Sequence, residues 1–205
     1  MKTTLALLAV TASVAFAQGP LAPPAAPAPT MKTLDQIEAR TPISAPQNIT
    51  QSGSYYLTGN VNGQITISAS DVTLNLNGFT LTSSGDGIGI NNQGTFSNVT
   101  IRNGSVVGPG SMTFTGAVAG TWSGFSGRGI IAYGRTAGNV SGQNIRIEGV
   151  TVRGFDQGIT LASFEESDGG RHLISNCLIR EFGFYGINAS QCCVRDCVIR
   201  SGTGT

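Results

Sequence analysis

Five segments of this chain repeat one short pattern, and that repeat limits the possible folds more than any other feature of the sequence. Each segment has an apolar anchor, an outward residue, a turn residue and a second apolar stretch; the five are LNGFTL (76–81), IRNGSV (101–106), IEGVTV (147–152), ISNCLI (174–179) and VRDCVI (194–199). The turn residues are Gly, Asn or Asp, which adopt positive φ at low cost: Gly78, Asn103, Gly149, Asn176 and Asp196. The pattern predicts two short strands joined by a sharp bend in every segment.

A second landmark keeps the same register along the chain. A Gly-Ile step recurs at Gly87-Ile88, Gly129-Ile130, Gly158-Ile159 and Gly186-Ile187. The anchors lie 25, 46, 27 and 20 residues apart, and the Ile of the step falls 12, 29, 12 and 13 residues after the preceding anchor. The long interval therefore predicts one repeat with an insertion between Val107 and Arg128, not a missing repeat.

Repeats of this length, made of short strands and tight turns, predict an all-β parallel solenoid. One repeat cannot bury its own apolar face, so neighbouring repeats stack about 4.8 Å apart and share a core. Leucine-rich repeats have similar periods but need an L-x-x-L-x-L signature that this chain lacks. A β-sandwich has the same alternation of residues, but it would not keep the landmarks in register over four repeats.

Composition and charge exclude two other classes of protein. The 205 residues are 40% hydrophobic and 11% charged, which argues against a disordered chain. The formal net charge is +1, so the chain lacks the basic excess that a general nucleic-acid binder needs to neutralise phosphates.

The N-terminal part predicts an exported protein. Residues 1–17 have a basic residue, an apolar run and an A-x-A cleavage site, the pattern of a secretory signal peptide. The run is too short for a transmembrane span, so we expect secretion or a location in the cell envelope or periplasm. Residues 18–32 form a Pro/Ala-rich linker. A short helix is predicted over 33–40, at the start of a β domain over 33–205.

The stretch TPISAPQNITQSGSYYLTGNV (41–61), followed by VTLNLNGFTL (72–81) and the repeats, resembles the secreted right-handed parallel β-helix proteins, the pectin-lyase-like superfold. The resemblance covers about residues 33–205. It implies a right-handed, single-stranded parallel β-helix whose N-terminal end is capped. The helix over 33–40, with Tyr55, Tyr56 and Leu57, would form that cap.

The sequence predicts a solenoid whose C-terminal end is not capped within this chain. After the anchor Val194 the chain reaches Thr205 just before the next Gly-Ile step is due. We therefore expect further C-terminal coils, or a partner chain, to cover the end of the solenoid.

The resemblance implies lyase or hydrolase chemistry, in which carboxylates hold Ca²⁺ or act as acid and base. The chain lacks the Asp-Asp pair and Gly-His-Gly segment of the hydrolases and the Arg-x-Pro-x-x-Arg of the lyases, so enzymatic activity stays open. The candidate catalytic residues, or Ca²⁺ ligands, are four carboxylates: Asp156, Glu165, Glu166 and Asp168. A solvated acidic loop is the alternative. His172 aligns with Val99, Ile145 and Cys192, which predicts a partly buried, hydrogen-bonded histidine at the edge of the core.

Arg153, Arg180 and Arg200 each follow their anchor by six residues. Stacked repeats would place them in one outward column that suits uronate or sulfate groups, unless Glu181 neutralises the column. The insertion carries Phe114, Phe125 and the chain's only tryptophan, Trp122. One interpretation is a lid or an aromatic platform that binds sugar rings, and the other is a surface loop.

The four cysteines come late in the sequence. Cys177 and Cys197 both follow their anchors by three residues and should stack inward, whereas Cys192 points in and Cys193 out. No paired C-x-x-C zinc spacing is present, so a disulfide and a buried thiol ladder both remain open.

Together these features predict an exported β-helix that binds an extracellular, acidic polysaccharide. If the protein is an enzyme, we expect a polysaccharide lyase or glycoside hydrolase. The alternative is a non-catalytic surface or adhesion solenoid, because function depends on the site and not on the scaffold.

Overall fold

The computed structural model describes residues 40–91, 96–114, 120–132, 143–161 and 171–201. These residues form strands, turns and bends and contain no helix. Nineteen strands follow one another: β1 (Arg40–Ile43), β2 (Asn48–Ile49), β3 (Gly53–Leu57), β4 (Val61–Asn62), β5 (Ile65–Ile67), β6 (Val72–Asn75), β7 (Thr80–Thr82), β8 (Ile88–Ile90), β9 (Thr100–Val107), β10 (Ser111–Phe114), β11 (Gly120–Ser123), β12 (Arg128–Ala132), β13 (Arg146–Arg153), β14 (Gln157–Leu161), β15 (His172–Ser175), β16 (Leu178–Arg180), β17 (Tyr185–Ala189), β18 (Cys192–Arg195) and β19 (Val198–Arg200).

Two parallel sheets contain all of these strands except β10 and β11, which form an antiparallel hairpin. Sheet A has 11 strands in the order β1-β3-β6-β9-β13-β15-β18, with β4, β7, β16 and β19 paired beside this path. Sheet B has six strands in the order β17-β14-β12-β8-β5-β2. The chain alternates between the sheets, so parallel neighbours come from successive repeats. The predicted all-β architecture of parallel strands is confirmed.

The predicted Gly-Ile landmark lies in one column of sheet B. Ile88 pairs with Ile130, Ile130 with Ile159, and Ile159 with Ile187. The column extends one strand further than the sequence pattern indicated, because Ile65 pairs with Ile88. Strand β12 belongs to the same column, so the long interval contains an insertion and not a missing repeat, as predicted.

The glycines of these steps have a steric explanation. A Cβ added at Gly158 would lie 2.5 Å from the carbonyl oxygen of Gly186 and 2.7 Å from Cγ2 of Ile179 in sheet A. A Cβ added at Gly87 or Gly129 would likewise meet the carbonyl oxygen of the next glycine and a branched side chain of sheet A. Real Cβ atoms do not approach other atoms this closely, so only glycine fits where sheet B begins against the side chains of sheet A.

The anchors and second strands also pair as predicted in four of the five segments. Ile101, Ile147, Ile174 and Val194 lie in one column, and Val106, Val152, Ile179 and Ile199 in another. All five predicted turn residues have positive φ, from 52° at Asp196 to 81° at Gly78. The turn conformation is therefore confirmed in each segment, but the division into two strands is confirmed in only three, because β9 and β13 continue through Asn103 and Gly149 as single strands.

The first segment has a different anchor from the predicted one. Leu74, not Leu76, pairs with Ile101, while Leu81 pairs with Val106 as expected. The corner of this repeat holds two additional residues, and the buried Leu76 packs there against Gly104, where an added Cβ would meet its side chain. The alignment was wrong because two leucines of one face both satisfy the apolar pattern.

The N-terminal cap differs from the prediction where it is described. Arg40, the predicted last residue of the helix, begins strand β1, and residues 33–39 lie outside the described residues. Tyr55, Tyr56 and Leu57 lie in β3, which pairs with β1 on one side and β6 on the other. They are an internal layer of sheet A and do not cap its end, because alternating residues of β3 fit the same inward positions as those of later repeats. The proposed signal peptide and linker lie outside the described residues.

Between the two sheets lies one apolar core. Its largest fully buried side chain is Phe155, in the corner between β13 and β14. Polar columns support other corners: Asn98 donates to Asp71 at 2.8 Å, and Asn144 donates to Asn98 at 2.9 Å. All three have positive φ, so the hydrogen bonds stabilise turns that the backbone of most residues resists.

Candidate functional site

Three arginines end successive strands of sheet A. Arg153 pairs with Arg180, and Arg180 with Arg200. Neighbouring parallel strands lie about 4.8 Å apart, so their outward side chains form one column, which we call the arginine column. Its placement is as the sequence predicted.

Glu181 partly neutralises this column. Its Oε2 lies 3.5 Å from Nη1 of Arg153, and its Oε1 lies 3.4 Å from Nη1 of Arg180. The glutamate is buried and has a φ of 52°, whereas the side chains of Arg153 and Arg180 stay 40% and 43% exposed. The ion-pair alternative is therefore present, yet Arg153 and Arg180 share this one carboxylate, and their side chains remain partly exposed to solvent.

The chain turns directly after the arginine column and then presents aromatic side chains. In the later repeat Glu181 makes the turn, Phe182 packs against the core, and Phe184 and Tyr185 point outward. The rings of Phe184 and Tyr185 meet edge to face with centroids 4.3 Å apart. Neither residue follows from the repeat pattern, although the aromatic cluster EFGFY directly before the Gly186-Ile187 step was a usable signal.

The insertion forms the hairpin β10–β11, with Met112 opposite Trp122. The amide of Gly110 donates to the carbonyl oxygen of Gly154 at 2.8 Å, which holds the base of the hairpin beside Arg153. Trp122 is half exposed, and its ring centroid lies 6.0 Å from that of Phe125. The described part of the insertion is thus a strand pair with an outward aromatic residue.

The candidate carboxylates are only partly described. Asp156 is partly buried and follows Phe155 in the corner between β13 and β14. Glu165, Glu166 and Asp168 lie outside the described residues, so their predicted roles as catalytic groups or Ca²⁺ ligands stay predictions. Within the ranges that the structure describes, no group of three or more His, Cys, Asp or Glu residues could hold a metal ion.

His172 is a core histidine, as predicted. It is buried in the column of Val99, Ile145 and Cys192, and its Nδ1 accepts a hydrogen bond from the amide of Ile145 at 3.3 Å. Burial lowers the pKa of His172 below its ordinary value, because desolvation penalises the charged imidazolium. This environment fits a neutral structural residue.

We expect the free energy of unfolding to fall as the pH is lowered from about 7, because below about pH 6.5 the unfolded chain binds a proton that native His172 does not. The decline should end once the pH passes the native pKa. His172→Val, which copies Val99 of the same column, should have a smaller decline. Denaturant unfolding of both proteins between pH 7.5 and 5 measures the difference. Parallel curves would contradict the prediction, since His172 is the only histidine.

The cysteines lie as the alternation predicted. Cys177 is buried, Cys192 and Cys197 pack against the core, and Cys193 is exposed. All four are free thiols. Desolvation by burial raises the pKa of both Cys177 and Cys192 to about 11, so these thiols are held in the unreactive protonated form.

The strand pairing defines the class of this chain as an all-β protein of parallel, in-register repeats. Compared with protein-family models, with curated proteins and with solved structures, the chain gives no match. No described helix is long and apolar enough to cross a membrane. Any functional assignment therefore depends on the surface around the arginine column.

Proposed function

We propose that this chain is an exported right-handed parallel β-helix, similar to pectin-lyase-like proteins, that binds an extracellular acidic polysaccharide. The observation that carries the proposal is the arginine column, in which the side chains of Arg153 and Arg180 are partly exposed. Guanidinium groups bind carboxylates and sulfates with two parallel hydrogen bonds. A linear polyanion presents such groups repeatedly, so it can contact several arginines of the column at once.

The local charge supports a polyanion of low charge density better than a nucleic acid. The chain as a whole is close to neutral, and Glu181 reduces the charge of the column itself. The carboxylates of a uronate chain need only a few positive charges close to them, whereas nucleic acids bind through extended basic surfaces. If the protein also cleaves its ligand, Asp156 with Glu165, Glu166 and Asp168 are the proposed acid, base or Ca²⁺-binding groups of a lyase or hydrolase.

A structural solenoid is the second candidate. The two ion pairs of Glu181 favour it, because an arginine column engaged with a glutamate can serve stability alone. In that case the stacked repeats would act as a rigid spacer at the cell surface.

Binding of the full exported chain to a uronate glycan array, with and without Ca²⁺, separates these candidates. We expect uronate binding that falls at least about tenfold in the double variant Arg153→Ala/Arg180→Ala, since a charge-assisted hydrogen bond contributes about 1.5–3 kcal/mol. The matched control is Arg146→Ala, an exposed arginine at the opposite end of β13. Absence of uronate binding by folded protein, or equal binding by the double variant, would favour the spacer.

A further inference from the structure

The exposed aromatic side chains of the described residues gather beside the arginine column. Trp122 is 49% exposed, Phe184 64% and Tyr185 44%, and they are the only aromatic residues among the large exposed apolar side chains of the described ranges. Together with Phe125, which contacts Trp122, we call them the aromatic strip. Exposed aromatic groups gathered in one place are typical of binding surfaces.

Gly183 joins the two halves of this strip. A Cβ at Gly183 would lie 3.1 Å from Cβ of Phe125 and 2.7 Å from Oδ1 of Asp156. Phe125 therefore lies directly against the residue that precedes Phe184 in the chain. The Trp122–Phe125 pair of the insertion and the Phe184–Tyr185 pair of the later repeat are thus joined through Gly183, which also lies beside the carboxylate of Asp156.

Backbone hydrogen bonds fix the strip before any ligand binds. The amides of Gly183 and Phe184 donate to the carbonyl oxygens of Phe155 and Asp156 at 3.0 and 2.7 Å. The Gly110–Gly154 hydrogen bond holds the hairpin on the same corner. A surface that is already ordered loses little conformational entropy on binding, which favours affinity.

The strip also lies within reach of the arginine column. Phe184 follows Arg180 by four residues, at most about 14 Å of extended chain, and the turn at Glu181 shortens this path. One extended ligand can therefore contact both features. Its chemistry must combine anionic groups for the arginines with flat, apolar ring faces for the aromatic side chains.

We infer that the aromatic strip is a stacking subsite for pyranose rings of the same acidic polysaccharide whose carboxylates contact the arginine column, an inference that rests on the proposed function. The C–H face of a pyranose ring packs on an aromatic ring, and the hydroxyl groups at its rim can donate to Asp156. The two contacts together select a chain of several sugar units, because a single uronate cannot reach both. The class of ligand is thus an acidic oligosaccharide with unsubstituted ring faces.

The test uses a galacturonate hexasaccharide, free galacturonate and a single-stranded oligothymidylate as probes of the full chain. Trp122 is the only tryptophan, so its fluorescence reports directly on the strip. We expect the hexasaccharide, but not free galacturonate, to change this emission. The double variant Trp122→Ala/Phe184→Ala should bind the hexasaccharide about tenfold more weakly, equivalent to about 1.4 kcal/mol, while its weak binding of free galacturonate is unchanged. Calorimetry measures both affinities.

Two control variants identify which idea fails. Tyr56→Ala removes a partly exposed aromatic residue of β3, outside the strip, and should bind like the parent. The double variant Arg153→Ala/Arg180→Ala should lose binding of both the hexasaccharide and free galacturonate. If the aromatic variant binds the hexasaccharide normally while the arginine variant does not, the stacking subsite is wrong and the proposed function survives. If the parent binds neither sugar, or prefers the oligothymidylate, both are overturned.

Discussion

Gly158→Ala is expected to destabilise the protein by about 3 kcal/mol, the upper end of the usual cost of overpacking a core. The added methyl group would lie 2.5 Å from the carbonyl oxygen of Gly186 and 2.7 Å from Cγ2 of Ile179. The carbonyl group is part of the sheet and cannot rotate away, so the clash must separate β14 from β17 or push sheet A outward. For a fold of this size, the midpoint of thermal unfolding should fall by about 6–12 °C.

Gly59→Ala is the matched control for this substitution. A Cβ at Gly59 has no neighbour within 4 Å, so the same methyl group should change the free energy of unfolding by less than about 0.5 kcal/mol. Thermal and denaturant unfolding of the two variants give the comparison. Equal stability of the two variants would show that the Gly-Ile step does not depend on the close approach of the sheets.

Phe155→Ala is expected to destabilise the protein by about 3–5 kcal/mol, the usual cost of removing a buried aromatic ring. The ring fills space beside three glycines, whose added Cβ atoms would lie 2.8 Å (Gly108), 3.1 Å (Gly129) and 3.4 Å (Gly87) from its carbon atoms. Glycines have no side chain with which to fill a cavity, so the neighbouring residues cannot relax into the vacated volume.

Phe184→Ala removes the same side chain from an exposed position in the next repeat. It should unfold at the denaturant concentration of the parent, whereas Phe155→Ala should unfold much earlier with the same slope. A small effect of Phe155→Ala would mean that the corner between β13 and β14 repacks. The stability of Phe184→Ala also matters for binding studies, because it separates loss of a ligand contact from loss of the fold.

Much of the repeat architecture could be predicted because its signals are local. Alternation placed Cys177 inward and Cys193 outward, and the Gly, Asn and Asp residues marked the bends. The errors also have local causes. Leu74 and Leu76 lie two residues apart on one face of the apolar pattern and are equally good anchors, and only the pairing of Leu74 with Ile101 distinguishes them. Tyr55 and Leu57 were assigned to a cap because they precede the first of the five aligned segments, and only the pairing of β3 with β1 and β6 shows that they form a layer of sheet A.

The candidate site was less accessible to sequence analysis because it joins residues from different repeats. The arginine column followed from register alone, since Arg153, Arg180 and Arg200 share one offset from their anchors. The contact of Phe125 with Gly183 did not, because it brings together the insertion and a corner more than fifty residues later. No periodicity relates these two segments.

The sequence by itself determined which residues face the core, where the chain bends and which side chains share a column, since each depends on a period of two and on the allowed φ of single residues. Only the tertiary structure decided why Gly158 has no side chain, how Glu181 divides its carboxylate between two arginines, and that the two aromatic pairs are neighbours. These features depend on distances between the sheets and between repeats, which arise when the repeats pack against one another.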